Sequence, residues 1–239
     1  MFRKAWAQLS KLLNAIANWK YFKPVVFIGC AVPFVLLALK VFASENLPWF
    51  VPSLKPFVDA TLGGLGVDAT KSLLHETGED ALGLLLAGLA ITPIRRVFKV
   101  NGIQKVRRMV GVWSFAYAVV HVTLYVGLDQ ACFDWASCDG GLIVDDILKR
   151  PFIWMGLIAF VAMTLLAATS TSGAVRLLKK KWQTLHRLVY LAGVAAVIHF
   201  IWIQKADISE PLMWAGWLAL FLAIRVYFSI QKRRQRRPA

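Results

Sequence analysis

Three kinds of feature are scarce or missing in this 239-residue sequence, and their absence limits the classes of function that are possible. Only 13 residues are acidic against 28 basic ones, which gives a net charge of +15. There is no C-x-x-C-H motif, which argues against covalent c-type haem attachment, and no cluster of zinc-type ligands. There is also no G-x-G-x-x-G or other nucleotide fingerprint, so we expect no NAD(P)H-oxidising domain in this sequence.

Apolar residues are abundant, at 58% of the chain with a mean hydropathy of +0.59. Apolar runs of membrane-spanning length recur along the sequence. They predict an all-α integral membrane bundle of six transmembrane helices, preceded by an N-terminal amphipathic helix. The predicted spans are residues 24–43, 81–95, 109–128, 151–170, 181–202 and 211–229.

The sequence divides into three parts. Residues 1–23 are basic and amphipathic, which predicts a helix on the cytoplasmic membrane face. Residues 24–230 form the predicted six-helix domain, and residues 231–239 form a basic cytoplasmic tail. A cleaved signal peptide ending near Val41-Phe42-Ala43 is the alternative. We prefer a retained helix because the apolar run of residues 24–43 is long for a signal peptide.

The acidic residues are confined to the predicted loops 44–80, 129–150 and 204–210, which contain only five of the 28 basic residues. Because cytoplasmic loops are rich in Lys and Arg, this distribution places both termini in the cytoplasm and the acidic loops outside the inner membrane. The basic residues form short caps beside membrane segments, so we expect no nucleic-acid partner. Cys132 and Cys138 share an external loop, where an oxidising compartment would allow a disulfide but the sequence does not decide whether one forms.

Three of the four histidines lie in predicted spans, where ionisable side chains are usually functional. His199 lies thirteen residues after His186, or roughly 20 Å along a helix. His121 lies fourteen residues after Arg107, roughly 21 Å from the cytoplasmic end. His121 and His199 therefore match in depth, which predicts a b-type haem held between the third and fifth spans. The alternative is two unrelated buried imidazoles.

His186 lies at the cytoplasmic depth without a histidine opposite it. Thirteen residues turn an ideal helix by about 220°, so tilt or a local bulge would be needed to align His186 with His199. A second haem beside His186, with Arg107 as an unusual axial ligand or propionate partner, is one interpretation. Ordinary positive-inside capping by Arg107 is the other. His75 is expected to cap the outer end of the second span or to hydrogen-bond at the interface. A role in a quinone site is the alternative.

Eight short motifs carry a resemblance to known proteins. They are His75-Glu76-Thr77-Gly78, Ile91-Thr92-Pro93-Ile94-Arg95-Arg96, Arg107-Arg108-Met109-Val110-Gly111, Lys149-Arg150-Pro151-Phe152, Thr169-Ser170-Thr171, Trp182-Gln183-Thr184-Leu185-His186, Ile198-His199-Phe200-Ile201-Trp202 and Glu210-Pro211-Leu212. Together they resemble the ferric-reductase-type transmembrane family. Within it, the chain closely resembles the haem-binding membrane subunits of periplasmic methionine sulfoxide reductase systems.

This resemblance implies haem b, with iron bound by His121, His186 and His199, and also FMN. It implies an electron-transfer subunit without catalytic residues of its own. Electrons would come from the quinone pool or a cytosolic flavin reductase and pass to a periplasmic molybdopterin-containing subunit that reduces methionine sulfoxide in damaged proteins. Relatives with two fully bis-histidine haems have a histidine where this chain has Arg107.

Two other classes of function use the same residues. The three membrane histidines could form the relay of a transporter or proton channel. Such a transporter should show internal repeats and paired broken helices, which the sequence does not clearly contain. A non-redox scaffold for a periplasmic partner is the third interpretation.

Overall fold

The structure is a computed structural model that describes residues 2–44, 51–63, 65, 68–134, 136, 138–204 and 207–235. Eleven α-helices are found in these residues. They are α1 (Phe2–Asn18), α2 (Phe22–Ala43), α3 (Lys55–Thr61), α4 (Ala69–Phe98), α5 (Arg107–Leu124), α6 (Gly140–Lys149), α7 (Pro151–Ala168), α8 (Ser172–Leu178), α9 (Lys180–Leu185), α10 (Leu188–Ile203) and α11 (Ser209–Arg234).

Six helical segments are long and apolar enough to cross a membrane, so the predicted all-α bundle of six spans is confirmed. They are Phe22–Ala43, Ala69–Phe98, Gly102–Asp129, Pro151–Ala168, Lys180–Ile203 and Ser209–Lys232. The third segment begins with a 3₁₀ turn and ends with a π-helical turn, Tyr125–Asp129.

Two pairs of helices form the centre of the bundle. The most extensive packing joins α4 to α5 and α7 to α10, while α11 packs on α4 and α10. Tyr117 of α5 is fully buried in the bundle, and its hydroxyl donates a hydrogen bond to the Cys30 carbonyl of α2. Large apolar side chains such as Phe27, Val161 and Leu220 are exposed on the outer surface, as expected for a surface that lipid covers.

The predicted second span, 81–95, is wrong at both ends because α4 runs from Ala69 to Phe98. Asp68 caps its first turn by accepting a hydrogen bond from the Lys71 amide. The acidic residues that interrupt the apolar run before residue 81 have partners on other helices. Lys40 of α2, for example, lies 2.8 Å from Glu76. Tertiary contacts therefore allow the helix to continue through a polar stretch that we predicted to be a loop.

Other boundaries also differ from the predictions. The span predicted over 181–202 is two helices, α9 and α10, which are separated at His186 and Arg187. The predicted external loop 129–150 contains α6. The first helix ends at Asn18, where its side chain accepts a hydrogen bond from Lys105. Part of the predicted tail, residues 236–239, lies outside the described residues.

Candidate functional site

His121 of α5 and His199 of α10 lie close together, with ring centroids 6.3 Å apart and an interplanar angle of 86°. A metal–nitrogen bond is about 2 Å long, and the ring centroid lies a little over 1 Å beyond the nitrogen. Two imidazoles on opposite sides of one metal therefore have centroids about 6 Å apart. The observed separation therefore fits two axial ligands of a single metal. The structure thus brings together the two histidines that the sequence placed at the same depth.

Backbone carbonyls of the neighbouring helices hold both rings. Nδ1 of His121 lies 2.9 Å from the Leu74 carbonyl oxygen, and Nδ1 of His199 lies 2.7 Å from that of Phe152. Because a carbonyl oxygen can only accept, each Nδ1 carries the proton and donates it. Nε2 of each neutral ring then has the lone pair available to a metal. Metal-binding histidines commonly donate their other ring N–H in this way.

A glycine lies against each ring, four residues after the carbonyl that the ring binds. A Cβ atom on Gly78 would lie 3.2 Å from Cε1 of His121. A Cβ atom on Gly156 would lie 2.8 Å from Cε1 of His199. Both distances are shorter than ordinary contacts, so these glycines provide the space that the imidazoles occupy. The α4/α5 and α7/α10 pairs thus hold their histidines in the same manner.

These carbonyl and glycine contacts were not predicted from the sequence. Gly78 and Phe152 belong to the quoted motifs, but nothing in the sequence indicates that they contact histidines more than 40 residues away. Thr77 was also missed. It is fully buried, donates to the Leu73 carbonyl and lies 3.3 Å from Nδ1 of His121. For Gly156 the signal that could have been used is a glycine inside a predicted span, since it permits close approach of another group. Gly78 lies before the predicted span of residues 81–95 and gave no such signal.

His186 lies in a different environment. It is located at the break between α9 and α10, where its ring stacks on Trp182 with centroids 3.8 Å apart. Its Nδ1 lies 3.2 Å from the Trp182 carbonyl oxygen. Arg107 and Arg108 are close enough to interact with it electrostatically. The helix is thus interrupted at His186 itself.

Basic groups surround Arg107. Arg225 of α11 and Arg95 of α4 are near enough to repel it electrostatically. Arg225 is held in place because its guanidinium donates to the Tyr190 hydroxyl at 2.7 Å and to the Leu89 carbonyl at 2.6 Å. Its Nε is buried without a hydrogen-bond partner among the described residues. Such a concentration of positive charge favours an anionic group nearby.

His75 does not cap α4 but lies in its second turn, where it joins two carboxylates. Ligand atoms of His75, Glu79 and Glu210 all lie within 4.8 Å of one another. Nε2 of His75 is 3.6 Å from Glu210, and its ring packs against Phe200, the residue after His199. This acidic cluster therefore lies at the end of the bundle that carries the His121–His199 pair.

The loop after α5 contains a disulfide between Cys132 and Cys138, a pairing that the sequence alone left open. Two acidic side chains of the α6 helix that follows each pair with a basic side chain four residues later. Asp145 pairs with Lys149, and Asp146 pairs with Arg150 at 2.7 Å while accepting a hydrogen bond from Tyr125 at 2.8 Å.

Two facing imidazoles, each held by a carbonyl and a glycine, within six apolar helices define a multi-pass membrane protein with a candidate metal-binding site between two helix pairs. The chain belongs to the family described as ferric reductase like transmembrane component, whose sequence profile matches residues 77–197.

Curated relatives give a narrower similarity. The chain is 44% identical over 170 residues to the protein-methionine-sulfoxide reductase heme-binding subunit MsrQ of Xanthomonas campestris pv. campestris strain B100, covering 71% of this chain and 75% of that protein. It is 44% identical over 176 residues to the protein of the same name from Rhodospirillum rubrum, covering 73% of this chain and 82% of the relative. No solved structure matches the chain.

Proposed function

We propose that this protein is a haem b-containing electron-transfer subunit of a methionine sulfoxide reductase system. The observation that carries the proposal is the His121–His199 pair, whose ring separation of 6.3 Å fits two axial ligands of one iron. The similarity to heme-binding subunits named MsrQ supports haem as the group that these residues hold. When bound, haem iron takes up and releases one electron at a time.

The residues around the pair would position the haem and tune it. The carbonyls of Leu74 and Phe152 fix the tautomer and orientation of the two imidazoles. Gly78 and Gly156 allow the rings to lie close to the neighbouring helices. In this account the chain has no catalytic residue of its own, because the reduction of methionine sulfoxide takes place on the partner.

His186 and Arg107 form a second, cytoplasm-facing site in this proposal. His186 would be the axial ligand of a second haem b, and Arg107 would be an unusual axial ligand or a propionate partner. The nearby positive charge of Arg225 and Arg95 supports an anionic group here. FMN, implied by the family resemblance, carries a phosphate and is a further cofactor of the proposed system.

The proposed donor is the quinone pool or a cytosolic flavin reductase, and the proposed acceptor is a periplasmic molybdopterin-containing subunit. The protein would lie in the bacterial inner membrane with both termini in the cytoplasm, since all of its acidic residues lie in the segments 44–80, 129–150 and 204–210. An oxidising external compartment also suits the Cys132–Cys138 disulfide.

The test is electron delivery. Purified protein, reduced with dithionite and freed of excess reductant, is mixed with the periplasmic reductase and a methionine sulfoxide substrate. We expect the absorbance to show that the haem becomes oxidised while methionine is formed. Neither change should occur in the absence of the substrate. A protein that contains no haem, or reduced haem that stays reduced with both present, would contradict the proposal.

A further inference from the structure

A cleft of about 220 Å³ lies between α2 and α4. Its apolar lining includes Leu36 and Leu37 of α2, and its polar lining consists of Lys40 of α2 together with Glu76, Glu79 and Asp80 of α4. The cleft has room for about seven water volumes of about 30 Å³, enough for a ring with two oxygen substituents. The cleft is partly open to its surroundings, so a ligand can enter it.

The polar lining contains a carboxylate that can take up a proton. Glu76 is paired with Lys40 at 2.8 Å, which compensates its charge. Glu79 instead lies near Glu210 of α11, with carboxylate oxygens of the two residues within 4.8 Å of each other. Because like charges so close together disfavour the ionisation of both groups, one of the two carboxyl groups can hold a proton. Glu79 is thus a proton-binding group in the lining of the cleft.

A route from this group to water is present. The carboxylate of Glu210 lies 3.6 Å from Nε2 of His75, and the ligand atoms of all three residues lie within 4.8 Å of one another. The His75 side chain is 43% exposed. A proton taken up by Glu79 can therefore reach water through Glu210 and His75.

The cleft and the histidine pair share one turn of α4. Thr77 and Gly78, between the cleft residues Glu76 and Glu79, both contact the ring of His121. A molecule oxidised in the cleft would therefore lie next to the electron acceptor proposed above. The cleft therefore lies at one end of the bundle together with the proton acceptor Glu79 and the His121–His199 pair.

We propose that this cleft binds the headgroup of a lipid-soluble dihydroquinone and that Glu79 accepts its protons. The inference rests on the proposed function, because the oxidant is the ferric haem held by His121 and His199. Oxidation to the quinone breaks two O–H bonds and releases two electrons and two protons. The electrons pass singly to the iron, and the protons pass in turn to Glu79 and then through Glu210 and His75 to water. The ring would contact the apolar walls, and the tail would remain in lipid.

The first test uses the full-length protein in lipid nanodiscs with short-tailed ubiquinol and menaquinol analogues. We expect at least one analogue to reduce the haem, and Glu79→Gln to slow this at least tenfold while dithionite still reduces it fully. Asp59→Asn, an exposed substitution on α3, should retain the wild-type rate. A wild-type rate in Glu79→Gln would overturn the proposal. Wild-type protein without haem would instead contradict the proposed function.

The second test measures binding directly and does not depend on turnover. An azido-labelled short-tailed quinone is photolysed with the protein, and the labelled peptides are mapped. We expect label on residues 33–40 and 76–80, reduced at least fivefold by Leu36→Trp, which fills the cleft. Leu165→Trp, the same change at a 46% exposed position of α7, should label like wild type. Label confined to other segments, or unaffected by Leu36→Trp, would overturn the assignment of the cleft.

Discussion

A Cβ atom on Gly156 of α7 would lie 2.8 Å from Nδ1 of His199 on α10. The ring can therefore occupy its position, and donate to the Phe152 carbonyl, only because this residue has no side chain. Gly78 has the same relationship to His121, with a somewhat longer distance of 3.2 Å to Cε1. The geometry of the candidate site thus depends on two glycines as much as on two histidines.

Adding a methyl group at these glycines should weaken haem binding. Gly156→Ala should displace His199 from its carbonyl partner and lower haem affinity roughly tenfold, the magnitude typical of lost outer-shell support. Gly78→Ala should have a smaller effect, because its contact is less close. The measurement is haem retained per protein after purification and its affinity on titration into the apoprotein. Gly111→Ala is the control, since no atom lies within 4 Å of its added Cβ. Equal haem affinity in Gly156→Ala and Gly111→Ala would contradict this role.

Replacing the inner histidine should separate the two proposed sites. His186→Ala should change the spectrum or the turnover while leaving the outer haem bound, because His186 stacks on Trp182 at the break between α9 and α10, away from the His121–His199 pair. Reduced-minus-oxidised spectra of the purified variant provide the measurement. Loss of all haem would make His186 part of a single site, and an unchanged spectrum and turnover would make it structural.

The orientation of the chain can be tested with reporters. A fusion after Arg237 should be active only with a cytoplasmic reporter, and an insertion near Asp139 only with a periplasmic one. The basis is the concentration of acidic residues in the segments 44–80, 129–150 and 204–210 and of basic residues on the opposite side. The reverse pattern would overturn the proposed outward direction of electron transfer.

The cysteines should differ in reactivity. Cys132 and Cys138 form a disulfide, whereas Cys30 is free and buried in α2. Protein purified without reductant and then denatured should therefore bind one maleimide reagent per chain, and three after reduction. The mass of the labelled protein measures this. Three labels without reduction would show that the external disulfide is not formed in the cell.

Much of the bundle can be predicted from sequence, because each span is an apolar run of fixed rise per residue. Counting residues along two helices was enough to place His121 and His199 at the same depth. The start of α4 could not be predicted in this way. Glu76 and Glu79 interrupt the apolar run, and only the folded chain supplies Lys40 and Glu210 as partners.

The surroundings of the histidines depend on how helices pack and not on the pattern within one helix. Nothing in a single sequence places the Leu74 carbonyl beside His121 or Gly156 beside His199. The break at His186 was also not predicted. Residues 181–202 were predicted to form one helix, yet the chain is not helical at His186 and Arg187.

The most direct measurement of the central claim is the haem content of histidine variants purified in parallel. His121→Ala and His199→Ala should each lose most of the b-type haem, because each removes one of two axial ligands. His75→Ala, whose ring is exposed and belongs to the acidic cluster, should retain it. The low-spin absorption bands expected of two imidazole ligands should be present in wild type and in His75→Ala. Full haem content in both His121→Ala and His199→Ala would contradict the assignment of this site.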